Sequence, residues 1–239
     1  MDKDKRKKKG AQRTTSGSLY SVVAERRAYY STCLKAKLDP DQYLSIIIDG
    51  MDQSKTNLPH ANCLFKVRPE PMSLGAILHR DGRIFSFIDL MRWPHDSNLT
   101  LNVLLQIFVV LSEVLETLTP VLFLQMDNCY QESKNRYILG FCSPLVEKEM
   151  EASAKDNYKV RLSFLMVGHT HEDFFSRISK RLHMKDWMTL PALVRKTQKA
   201  YTPVPNVRVI EFIFDIKGWI KPFLNKNKKS RVPSYLKIL

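Results

Sequence analysis

Three largely apolar runs, each ending abruptly in polar and acidic residues, constrain this chain most. Tyr43–Ile48 leads into Asp49-Gly50, Val121–Met126 into Asp127-Asn128, and Lys159–Val167 into Gly168-His169-Thr170-His171-Glu172-Asp173. A short continuous apolar run bounded by turn chemistry reads as a strand buried on both faces, because a half-exposed strand would alternate. Such strands need cover on both sides, and the intervening stretches supply it. Leu19–Leu38 is rich in Ala, Lys and Glu and stops at Asp39-Pro40-Asp41; Leu99–Leu118 is a long apolar helix with Asn98 or Thr100 as its cap and Pro120 beyond. Glu132–Met150 is broadly helical but interrupted by Gly140 and Pro144, and Glu172–His183 opens a further helix.

Between the first strand and the long helix, Ala76–His79 and Arg83–Leu90 flank Asp81-Gly82, the pattern of a short hairpin. Leu64–Val67 is a weaker strand. Strand, hairpin, helix, strand, helix, strand, helix implies an α/β fold: a ribonuclease-H-like mixed sheet with helices on both faces. The chain then divides into a disordered basic tail (1–17), an N-terminal helical segment (18–40), the core (41–186) and a basic C-terminal appendage (187–239). In the appendage, Pro191, Pro203 and Pro205 mark a connecting region. Val207–Ile216 and Trp219–Leu224 suggest a β-hairpin turning near Lys217-Gly218.

With 38 Lys+Arg against 24 Asp+Glu, the formal charge is +14. Met1–Arg13 holds seven bases, including Lys7, Lys8 and Lys9, and Lys217–Leu239 holds seven more, including Lys228 and Lys229, with no acid. Arg177, Lys180 and Arg181 lie on the expected helix, while acids outnumber bases from Asp39 to Glu172. Three basic runs flanking a nearly neutral centre make a nucleic-acid partner more plausible than any one run does. The four cysteines (Cys33, Cys63, Cys129 and Cys142) are too scattered for a zinc finger or disulfide scaffold. No apolar run approaches the roughly 20 residues of a membrane span. The expected location is the nucleus, otherwise the cytoplasm, with no membrane partner.

Asp49 and Asp127 sit where buried strands emerge, and ligands of open α/β sheets bind outside the carboxyl ends of strands. Glu172 and Asp173 follow the third strand, so acids from three element ends can converge. A carboxylate cluster needs a positive counterpart. Mg²⁺ or Mn²⁺ with substrate phosphates provides one, and a metal pair serves phosphoryl transfer. Ordinary turn and helix-dipole roles explain any one of these acids alone. Asp52, Asn128 and Glu132 lie close in sequence as supporting polar groups. His169 and His171, at alternate positions, can reach one site as metal ligands or proton shuttles. Their Gly-His-Thr-His phrase is similar to one in calcineurin-like metallophosphatases, whose other motifs are absent.

Longer phrases carry a wider resemblance. Ile47-Ile48-Asp49-Gly50-Met51-Asp52-Gln53-Ser54-Lys55, Leu124-Gln125-Met126-Asp127-Asn128 and Val167-Gly168-His169-Thr170-His171-Glu172-Asp173 closely resemble an uncharacterised domain family that looks transposon-derived. The resemblance spans about Tyr43–Arg181 and implies an integrase- or transposase-like core. It implies a two-metal DNA strand-transfer or nuclease site with Asp49 and Asp127 as its first two acids. Glu172 and Asp173 remain alternatives for the third, with His169 or His171 orienting groups or moving protons.

One departure bears on activity. Members of that family continue after His-Glu-Asp with Ile-Asp-Gln before a phenylalanine, whereas here Asp173 meets Phe174 directly. Three missing residues turn a helical face by about 300° and remove an acid. The family's usually longer N-terminal region makes this chain read as a fragment of a domesticated or decaying element. The expectation is therefore a DNA-processing core with weak or lost chemistry, able to form homo-oligomers. Its rivals are a non-catalytic nucleic-acid-binding module and a soluble interaction protein with no nucleic-acid role.

Overall fold

The computed structural model describes residues 23–50, 72–113, 119–127, 129, 131–143, 159–165, 190–224 and 236–238. In chain order its elements are α1 (23–38), β1 (Tyr43–Gly50), β2 (Met72–Leu78), β3 (Ile84–Asp89), α2 (Ser97–Ser112), β4 (Val121–Asp127) and α3 (136–143). There follow β5 (Lys159–Leu165), α4 (Leu190–Gln198), β6 (Asn206–Val209), α5 (Ile216–Ile220), a 3₁₀ turn (Lys221–Phe223) and β7 (Leu236–Ile238).

The strands form one seven-stranded sheet in the order β6-β3-β2-β1-β4-β5-β7. β2 runs antiparallel to β1 and β3, and every other pairing is parallel. The central order β3-β2-β1-β4-β5, with its leading antiparallel hairpin, is the ribonuclease-H-like arrangement expected.

Strand alternation divides the core between two layers. Leu44, Ile46, Ile48, Leu122, Leu124, Met126, Val160 and Leu162 point to one face, where α2 contributes Leu104, Ile107 and Leu111, α3 contributes Ile138 and Cys142, and α5 contributes Ile216 and Ile220. On the opposite face Tyr29 and Cys33 of α1 cover Ile47, while Leu193 of α4 packs with Ile88. Each such side chain, once fully buried, contributes about 1.5–3 kcal/mol. That two-sided burial is why β1 and β4 read as unbroken apolar runs.

The hairpin forms as the sequence suggests, and Gly82 supplies the positive φ of 73°. Several boundaries differ. α2 begins earlier than expected, and its cap is Asp96, whose extended backbone lets its carboxylate accept the Asn98 N–H. The region expected to be helical from Glu132 becomes α3 only at residue 136. Asn135 Oδ1 accepts the Tyr137 and Ile138 amides there, so Asn135 caps the helix instead of lying inside it.

The largest correction concerns the C-terminal segment. No hairpin forms at Lys217-Gly218: Ile216–Ile220 is helical, capped by Asp215, and runs into the 3₁₀ turn. Pro191 lies in the first turn of α4, where its missing N–H costs nothing. β6 pairs with β3 and β7 with β5, so the expected appendage supplies both outer strands of the same sheet. Gly140 explains how closely α5 sits on α3: a Cβ there would lie 2.8 Å from Leu224 Cδ2 and 2.9 Å from Ile220 Cγ2. The basic tail, the strand at Leu64–Val67 and the helix at Glu172–His183 lie outside the described residues. Among those described, no helix is long and apolar enough to cross a membrane.

Candidate functional site

Because only β2 is reversed, the carboxyl ends of β1, β3, β4, β5 and β6 share one edge of the sheet. Asp49 and Asp127 lie there on adjacent parallel strands, each one residue beyond the Ile48–Met126 pair. Adjacent backbones in a sheet run about 5 Å apart. Alternation turns both side chains to the α1 face, shared with Ile47 against Tyr29 and with Gln125, which donates to Thr32 Oγ1. Both residues are half-buried. On the other side of Asp49 its partner is Gly75, which sets no side chain against it.

Two further acidic positions come to this edge. Asp89 closes β3 and is completely buried; it accepts the Arg92 N–H at 3.2 Å, and its other oxygen lies 3.4 Å from His95 Nε2. That His95 contact satisfies ion-pair distance without hydrogen-bond alignment. Glu132, in the turn before α3, has its pKa raised above the ordinary carboxylate value. Burial is the main cause; His95 opposes it, and Asp127 and Asp96 add to it. Glu132 thus links the end of β4 to the loop between β3 and α2. Asp96 is itself compensated by Lys217, whose Nζ lies 2.7 Å from its Oδ2.

The structure therefore brings Asp49, Asp127 and Glu132 of the expected set to one sheet edge. Asp52, Asn128, His169, His171, Glu172 and Asp173 lie outside the described residues, as do the basic candidates Lys7, Lys8, Lys9, Arg177, Lys180, Arg181, Lys228 and Lys229. Among the described residues no three His, Cys, Asp or Glu side chains form a metal-holding group. Asp89 and His95 were missed, although the signal was present: Ile84–Asp89 ends on an acid just as the runs before Asp49 and Asp127 do.

This edge sets paired carboxylates on adjacent strands, with the Glu132 pKa raised by burial and by the charges of Asp127 and Asp96 and lowered by His95. Over residues 72–239 the chain matches the family described as Domain of unknown function (DUF7869). The chain belongs to that family. The DUF7869 match runs from β2 through β7 and crosses residue 187 without a break, taking in Asp89, Asp127 and Glu132. Asp49 on β1 precedes the matched DUF7869 span. No curated protein and no solved structure matches the chain.

Proposed function

We propose that this chain is a transposon-derived, integrase- or transposase-like DNA-processing core of the nucleus whose chemistry depends on Mg²⁺ or Mn²⁺. One observation carries the reading: Asp49 and Asp127 emerge side by side from adjacent parallel strands of a ribonuclease-H-like sheet. All-oxygen donors at adjacent strand ends fit a hard divalent ion. Such an ion, when bound, supplies charge neutralisation for a transferring phosphoryl group and acidifies a bound water. Asp49 and Asp127 would hold it, with Glu172 or Asp173 as third acid and His169 or His171 moving protons. The positive charge of +14 suits a phosphodiester substrate.

The direct Asp173-Phe174 junction is three residues shorter than the phrase the resemblance implies and lacks its acid, and about 1 Å of displacement in a positioned group can cost about 100-fold in rate. The unmodified chain should therefore cleave DNA weakly. The test compares it with a variant in which Ile-Asp-Gln is inserted between Asp173 and Phe174, using labelled oligonucleotides with Mg²⁺, Mn²⁺ or EDTA. Metal-dependent cleavage should rise in the restored chain and vanish when Asp127→Asn is added. DNA binding without cleavage in either chain would leave a non-catalytic nucleic-acid-binding module and end the enzymatic reading.

A further inference from the structure

We propose that the α5 corner is a docking surface for single-stranded nucleic acid, with Trp219 and Phe223 as base-stacking rings and Arg136, Lys217 and Lys221 grouped around Tyr137 to take the phosphates.

The rings come first. Trp219 is 61% and Phe223 75% exposed, although the same short segment buries Ile216 and Ile220 in the main core. The segment is thus firmly seated, and it turns its two largest side chains outward. Their centroids stand 6.2 Å apart with the ring planes at 60°, an edge-to-face pair. An exposed pair of this kind offers aromatic area for contact with a partner.

The cations identify the occupant. Arg136 lies 5.1 Å and Lys217 Nζ 5.2 Å from the Tyr137 ring, and Arg136 Nη2 donates to the Tyr137 hydroxyl at 3.3 Å. Lys221 follows Lys217 by one helical turn, and the Tyr137 pKa is lowered, first by the Arg136 hydrogen bond, with burial opposing and the charges of Arg136, Lys217 and Lys221 adding to it. From Lys217 to the last residue the chain has no acid. Upstream, Asp215 is committed to capping α5 through the Gly218 N–H. A protein partner that needs only apolar contact has no use for this charge. Single-stranded nucleic acid combines open base faces with phosphates, and rings interleaved with cations are how proteins bind it without regard to sequence. Double-stranded DNA keeps its base faces stacked and would use the cations alone.

Lys217 also pairs with Asp96, which acts electrostatically on Glu132 beside Asp127. A strand lying over Tyr137 would approach the carboxyl edge from the α2 side. That direction rests on the proposed DNA chemistry; the binding surface does not.

The experiment titrates the full chain with a labelled oligo-dT of about 15 nucleotides in EDTA, following anisotropy and tryptophan fluorescence. Binding should quench the fluorescence, and Trp219→Phe should remove most of the quench, Trp93 and Trp187 remaining. Trp219→Ala with Phe223→Ala should weaken oligo-dT binding by about tenfold or more while leaving duplex binding nearly unchanged. Lys221→Ala should reduce the salt slope by about 0.7. Equal affinity of the ring variant and the parent for oligo-dT would overturn the proposal. So would a parent that binds no oligo-dT but forms a dimer which the ring variant abolishes, since the surface would then join two copies. Absence of cleavage touches neither outcome, because EDTA removes the chemistry from the measurement.

Discussion

The carboxamide of Asn102 holds both backbone groups of Phe214: its Oδ1 accepts the Phe214 N–H at 2.8 Å and its Nδ2 donates to the Phe214 carbonyl at 2.9 Å. Asn102 lies in the middle of α2 and is buried, and Asn98 adds a second donor to the same carbonyl. This clamp, not a strand ladder, seats the segment before α5. Asn102→Ala would leave the amide and part of the carbonyl unsatisfied. The expected loss is about 2 kcal/mol of unfolding free energy. Urea denaturation should show a lower midpoint at unchanged slope. Asn102→Asp, which cannot donate and sets a buried carboxylate oxygen against the Phe214 carbonyl, should cost at least as much as Asn102→Ala, and an unchanged Asn102→Ala midpoint would show the clamp to be dispensable.

Glu132 reports on the acidic edge. Its pKa is raised by burial and by Asp127 and Asp96, and lowered by His95. In metal-free protein, Asp127→Asn should move the Glu132 titration down and His95→Gln should move it up, as read by carboxyl NMR. An acid whose folded pKa lies above its unfolded value disfavours the fold once pH exceeds the unfolded value, because the native state then holds its proton more tightly. Asp127→Asn should therefore stabilise the metal-free protein slightly at neutral pH. A Glu132 titration that ignores both substitutions would show that Glu132 does not couple β4 to the β3–α2 loop.

His79 makes stability acid-sensitive. It is buried after β2 with its ring edge-on to Tyr29 of α1, and burial, assisted by Lys37, lowers its pKa to about 4. Below the ordinary value of 6.5 the unfolded chain binds a proton that the folded chain refuses. The stability it contributes is thus complete above that value and falls as pH drops towards 4, by about 3 kcal/mol in all. Thermal or urea unfolding at several pH values should show this slope. His79→Gln should flatten it, and a parallel slope in that variant would assign the effect to other groups.

The described cysteines should differ in reactivity. Burial pushes the Cys33 thiol up to about 11 and the Cys142 thiol up to about 12, whereas Cys129 is only half-buried. Thiolate is the reacting form, so a maleimide should label Cys129 well before Cys33 or Cys142 in the native protein. Mass spectrometry of peptides after brief labelling checks the order. Early labelling of Cys33 would show that α1 lifts off the sheet.

Much of the fold was legible in the residues because it is dictated by local burial. β1 and β4 are buried on both faces, so their composition alone declared them, and the Asp81-Gly82 turn declared the hairpin. The acids Asp49 and Asp127 were legible as the polar ends of those apolar runs, although the β1 ladder itself runs on through Asp49 to Gly50. The α2 cap went to Asp96 because Asn98 was already engaged with the segment at 214–217, a contact more than 110 residues away in sequence. No reading of neighbours reveals that.

The sequence by itself determined an α/β sheet, its central strands and the carboxylates that end them, because apolar periodicity and turn chemistry act over a few residues. Tertiary structure alone decided that the C-terminal segment belongs to the sheet. β6 is short and half-buried, β7 is shorter still, and α5 has only five residues, so none carries enough local pattern to declare itself. Each is held by distant partners: β3, β5 and the Asn98–Asn102 clamp on α2. The same long-range packing brings Glu132, His95 and Asp96 together, because their meeting depends on which strands lie side by side and not on what adjoins them along the chain.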